Sequence, residues 1–149
     1  MIPYAAATSG DKALVDLQKI LEKFGCLSFG TMTNIEKGIT MVQFKWRDRT
    51  VSLEASWKGY AEVLMRSKPF RRSVRGRQVS EQDYRNRAMA QGKISVCSVL
   101  RDWIKGQVTA VECGIMSFET AFMPHILLSN GKRVIDIVQA KNLLEAPKE

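Results

Sequence analysis

Nine lysines and arginines fall between residues 66 and 93: Arg66, Lys68, Arg71, Arg72, Arg75, Arg77, Arg85, Arg87 and Lys93. Only Glu81 and Asp83 oppose them there, so this stretch carries +7 of the chain's net +8. The other 121 residues are almost neutral, with 14 basic and 13 acidic side chains. Guanidinium groups at this density suit phosphate, whose oxygens match their planar fork. A field of one sign in one place draws polyanions, and nucleic acid is the commonest of these in a cell. A second set, Lys45, Arg47 and Arg49, stands at alternate positions of an expected hairpin. Lys45 and Arg47 are read as sharing its polar face, with Arg49 past the turn. Phe70 and Trp57 are of a type that stacks on bases, although aromatic residues at such positions more often belong to a core. The rival reading of the whole run is an ordinary solvated charge face. No base-reading module is identifiable, so contacts to the backbone with little sequence preference and a steep salt dependence are expected.

Catalytic chemistry has little to work with. The single histidine, His125, follows Pro124 in an apolar setting with no Ser or Cys paired to it in sequence, and a structural role suits it better. Cys26, Cys97 and Cys113 are odd in number and contain no CxxC; with one histidine they do not make a zinc set. They are expected to be reduced, buried thiols of a cytoplasmic protein. Glu54, Glu62, Glu81, Asp83 and Glu112 are scattered rather than paired for Mg²⁺ or acid–base work. Ser73-Val-Arg-Gly-Arg77 has one glycine and no following Lys-Ser or Lys-Thr, so it is not a phosphate loop of the nucleotide-binding type. The expectation is a non-enzymatic protein with no metal and no cofactor.

The elements that must carry the basic residues are legible from periodicity. The chain reads as a weakly ordered arm over 1–10 and a single α+β domain over 11–149, with a basic loop at about 66–79. Asp11 is read as capping a helix whose apolar positions, Leu14, Leu17, Leu21 and Phe24 among them, follow 3, 4 spacing up to Gly25. Cys26 to Thr33, Thr40 to Arg47 and Arg49 to Trp57 alternate as three antiparallel strands. Lys58 to Leu64 suggests a short helical turn, and Pro69 and Gly76 a loop. Ser80-Glu-Gln-Asp83 opens a long helix through Val111, weakened at Gly92 and Gly106 so that Gly92 is the place for a kink or a break, with an end at Gly114. A short helix capped by Ser117, a hairpin turning at Asn130-Gly131 and a final helix over Ile135 to Leu144 complete the order α-β-β-β-α-α-(short hairpin)-α. Helix, three strands, helix is also the outline of double-stranded-RNA-binding domains, without their motifs. No apolar run approaches the ~20 residues that cross a bilayer, and the opening MIPYAAATSGDK is not read as a secretory signal.

From Ser98 to Asp136 the chain resembles the C-terminal signature of a family of small phage and prophage proteins. The residues that carry this are Trp103, Lys105, Ala110, Val111, Glu112, Gly114, Ile115, Phe118, Glu119 and Phe122. They continue through Pro124, His125, Leu128, Gly131 and Val134. Ser129-Asn130 departs from the proline and aspartate that relatives often carry there. The resemblance implies a phage origin and brings no established activity, so no functional residue is transferred from it.

Together these readings give two expectations. The first is a cytoplasmic phage protein of an infected bacterial host that binds nucleic acid, single strands favoured, in replication or recombination. Its α+β body would hold the basic loop in place or build a homo-oligomer, in loose analogy with single-strand annealing proteins. The second is an inhibitor of a host defence (anti-CRISPR-like) or transcription complex, whose basic patch docks on acidic protein or bound guide RNA. Neither involves a membrane.

Overall fold

Leu17 and Leu21 are fully buried and Ala13 almost so, which is what the 3, 4 spacing of α1 (Gly10–Phe24) was expected to produce. The structure is a computed structural model and describes residues 2–146. Ser9, rather than Asp11, is the N-cap of α1: its hydroxyl accepts from the Lys12 amide at 3.1 Å, and Asp11 lies in the first turn. The helix ends at Gly25, as expected.

Three antiparallel strands follow, β1 (Ser28–Asn34), β2 (Ile39–Trp46) and β3 (Arg49–Ser56), in the order β1-β2-β3. The register runs from Phe29↔Phe44↔Val51 through Thr31↔Val42↔Leu53, which sets these residues on one face. That face lies under the helices. Val42, Phe44, Val51 and Leu53 join Leu17 and Leu21 of α1 and Leu100, Ile104 and Val108 of the long helix in one core. Each such side chain contributes roughly 1.5–3 kcal/mol by leaving water. The fold is α+β.

Helix α2 (Trp57–Ser67) is longer than the turn expected at 58–64 and packs along α3 (Glu81–Glu112). Between them lie two-residue strands, β4 (Ser73–Val74) and β5 (Arg77–Gln78), where a plain loop was expected. Helix α3 runs through Gly92 without a break. It stops where Gly114, at φ 71°, takes the left-handed conformation and lets the Ile115 amide reach back to the Ala110 carbonyl at 2.9 Å.

Ser117 caps α4 (Phe118–Phe122), its hydroxyl accepting from the Thr120 amide. A 3₁₀ turn (Met123–His125) follows. The hairpin expected after it is short, one bridge at Leu127↔Arg133 with the Val134 amide donating to the Ile126 carbonyl at 3.0 Å and the Leu128 amide to that of Lys132 at 2.8 Å, and Ile126 also bridges to Val51 at the outer edge of β3. Helix α5 (Val134–Ala140) ends sooner than expected. Phe118 and Phe122 sit among Phe24, Trp46, Phe44 and Trp103.

The segment before α1, expected as a weakly ordered arm, lies against the helices. The Tyr4 hydroxyl donates to Asp102 at 2.6 Å, and the Tyr60 hydroxyl to the Pro3 carbonyl at 2.5 Å. Ser95 and Gln91 of α3 donate to the carbonyls of Tyr4 and Ala7.

Candidate nucleic-acid interface

The basic segment leaves the end of α2 and returns into the start of α3. Lys68 follows the last turn of α2, its amide bonded to the Leu64 carbonyl at 3.0 Å. The chain then forms the β4–β5 hairpin around Arg75 and Gly76, both at positive φ (52° and 77°), the conformation a two-residue hairpin turn demands. A 2.7 Å bond from the Val79 amide to the Arg72 carbonyl closes its base. Ser80 caps α3, accepting from the Asp83 amide at 3.0 Å, and Glu81 and Asp83 lie in the first turn, where acids complement the helix dipole.

Tyr84 holds both limbs together. Its hydroxyl donates to the carbonyls of Met65, at 2.9 Å, and Lys68, while its ring packs 5.5 Å from that of Phe70. A hollow of about 800 Å³ opens on one side of Tyr84, with Arg66, Phe70 and Arg85 in its wall. Another, of about 410 Å³, is walled by Lys68, Arg71 and Arg87. The sequence signal for Tyr84 is slight: a tyrosine in the first turn of a helix, with Arg85 and Arg87 after it and a basic loop before it.

Most of these basic side chains have no carboxylate partner among the described residues. Arg66, Lys68, Arg71, Arg72, Arg75, Arg77 and Arg87 are all exposed. Among the described residues none of them forms an ion pair. Arg85 alone of this segment is paired, to Glu81 at 3.2 Å on the helix surface. A phosphate approaching them would displace water and counterions rather than a bound carboxylate.

The second basic set does not join the first. Lys45 lies exposed on the outer face of the sheet. Arg47 is outside the strands, at φ 51° in the β2–β3 turn, with its guanidinium 4.2 Å above the Trp46 ring. It therefore does not share a strand face with Lys45, contrary to expectation. Arg49 pairs with Glu119 at 3.6 Å. Strand β3 runs from there toward α2, so roughly 25 Å of extended chain separates this turn from the start of that helix. Trp57 is also unavailable for stacking: it is buried, and its Nε1 donates to Thr40 Oγ1 at 2.7 Å. Lys93, farther along α3, lies over its ring at 5.3 Å.

Other groups on the page serve structure. The His125 ring stands edge-on to Trp103, with a buried Nδ1 that has no hydrogen-bond partner. Burial holds its pKa below the ordinary value, and nearby Arg133 adds to this. Arg101 and Tyr4 hydrogen-bond Asp102 and hold its carboxyl below the usual range. Among the described residues no three His, Cys, Asp or Glu side chains are grouped to hold a metal, and no helix is long and apolar enough to cross a membrane. The chain matches no protein-family model, no curated protein and no solved structure.

Proposed function

We propose that this protein binds the phosphate backbone of nucleic acid, single strands in preference, without catalysing a reaction on it. The observation that supports this is a set of seven exposed basic side chains between the end of α2 and the start of α3, with no ion pair among the described residues, of which Arg66, Lys68, Arg71 and Arg87 line hollows beside Tyr84. Half-buried Phe70 beside Arg71 offers a partial stacking surface, which favours unpaired bases. The phage setting rests on the resemblance over residues 98–136, and replication or recombination is the process that single-strand binding there would serve.

The test is binding of labelled single- and double-stranded oligonucleotides between ~50 and ~200 mM salt. The quadruple variant R71A/R72A/R75A/R77A serves as comparison. Single-strand affinity of the wild type is expected to fall steeply with salt, and the variant's slope to be shallower by about 3, since each single-strand phosphate contact contributes about 0.7. Equal, salt-insensitive binding by both proteins would end this reading in favour of docking to an acidic protein complex.

A further inference from the structure

The sheet has two edges and only one is covered. Outside β3, Ile126 bridges to Val51, and the Leu127 amide donates to the Thr50 carbonyl at 2.8 Å. Outside β1, no strand or bridge is present among the described residues. Every second residue of β1 therefore turns an N–H and a C=O outward with no ladder partner. Proteins usually blunt such an edge with a charge, a proline or a bulge. The strand SFGTMTN has neither charge nor proline, and its register to β2 is unbroken from Ser28↔Lys45 to Asn34↔Ile39.

What flanks this edge identifies the partner. Leu27 and Ile35 are 72% and 81% exposed, and Met32 is 58% exposed. Leu27 and Ile35 stand at equal distances in sequence on either side of Thr31. Leu27 lies in the bend before the strand and Ile35 opens the turn after it, so an antiparallel pairing of this strand with itself, centred on Thr31, brings Leu27 beside Ile35 just beyond each end of the ladder. It also sets Met32 opposite Gly30, where a side chain would meet nothing within 4 Å. Phe29 then faces Thr33, Ser28 faces Asn34, and no charged residue of the strand meets a like charge. A slip of one position would put the side chains on the wrong faces. Strand, flanks and the gap at Gly30 are all self-complementary in one register, as a two-fold interface requires.

We infer that β1 is a self-association edge through which two copies pair antiparallel about Thr31, joining their sheets into one of six strands. The basic segments follow the Ser56 end of each β3, so the two-fold places them at opposite ends of the joined sheet.

Light scattering after size-exclusion chromatography, without nucleic acid, tests this separately from the binding proposal. Wild type should move with concentration from 16.8 kDa toward twice that mass. L27K/I35K places lysine beside lysine at both ends and should weaken association about tenfold. L27K/I35E places lysine beside glutamate and should restore it. Both positions are exposed, and matching melting curves confirm that the variants fold. A wild type that stays at 16.8 kDa at every soluble concentration overturns the inference. So do L27K/I35K and L27K/I35E associating equally well.

Discussion

Gly92 lies directly against the backbone of Trp57: a Cβ at Gly92 would stand 2.6 Å from the Trp57 carbonyl oxygen and 3.3 Å from its carbonyl carbon. This approach is what lets the start of α2 pack on the middle of α3. G92A would improve helix propensity by about 1 kcal/mol, but the obstacle is main chain, which cannot rotate aside. Net destabilisation of about 1–3 kcal/mol is expected, as for other overpacked cores. Gly106 occupies the same helix with nothing within 4 Å of its Cβ position. G106A should therefore stabilise by about 0.5–1 kcal/mol. Urea midpoints of the two variants should move in opposite directions.

Gly92 also marks where sequence reading stops. A glycine inside a helical pattern suggests a weak point, and only the path of a second element shows it to be a contact. The helices α1 and α3 and the three strands were legible because burial imposes its own period on Leu17 and Leu21 or on Val42 and Phe44. Tyr4 and Asp102 are 98 positions apart, and Tyr84 reaches the carbonyls of Met65 and Lys68. Hydrogen bonds of that kind leave no periodic trace. The basic cluster was visible as composition. Its separation from Arg47 and Arg49 follows from the length and direction of β3. Ile126 was read into a local hairpin because Asn130-Gly131 signals a turn. Its carbonyl does accept from Val134 across that hairpin, and its bridge to Val51 on the edge of β3 is the part that a local turn signal does not record.

The Trp57–Thr40 hydrogen bond is buried, with Thr40 2% exposed. T40V keeps the shape and removes the acceptor, leaving the indole N–H unsatisfied, at an expected cost of about 1–3 kcal/mol. W57F leaves the Thr40 hydroxyl unpartnered as well as a void. The double variant should be less destabilised than the sum of the two singles, by about 1 kcal/mol, in a double-mutant cycle read by chemical denaturation.

Thiol chemistry should separate the three cysteines. Burial pushes the Cys26 thiol up to about 11. Burial also raises Cys97, and the carboxylate of Asp11 adds to it. Cys113 is exposed just past the end of α3. Because the thiolate is the nucleophile, iodoacetamide at neutral pH should modify Cys113 on the order of 10-fold faster than either of the others. Peptide mass spectrometry over a time course reads the order, and early labelling of Cys26 would contradict its packing.

His125 predicts a pH dependence with a definite sign. Its folded pKa is below the ordinary 6.5, chiefly through burial, so the unfolded chain binds the proton more readily. Stability linked to this group is complete above about 6.5 and is lost as pH falls through the lower folded value. H125F keeps an aromatic edge against Trp103 and removes the titration. The wild type should lose stability between neutral and mildly acidic pH more steeply than H125F when thermal unfolding is followed across that range.

The two basic sets should contribute unequally to binding. Arg47 is already placed on Trp46, and Arg49 is within 3.6 Å of Glu119, both about half exposed, so recruiting them means giving up existing contacts. Arg75 and Arg77 frame the β4–β5 turn, exposed and without carboxylate partners among the described residues. R75A/R77A should therefore lower the single-strand salt slope by about 1–1.5, two contacts at about 0.7 each. K45A/R47A/R49A should leave that slope within about 0.7 of wild type, no more than one lost contact among the three. Equal losses from both variants would mean that the bound strand runs along the sheet, from the β2–β3 turn to the segment beyond α2, and that the footprint is the whole length of β3 rather than the Tyr84 region alone.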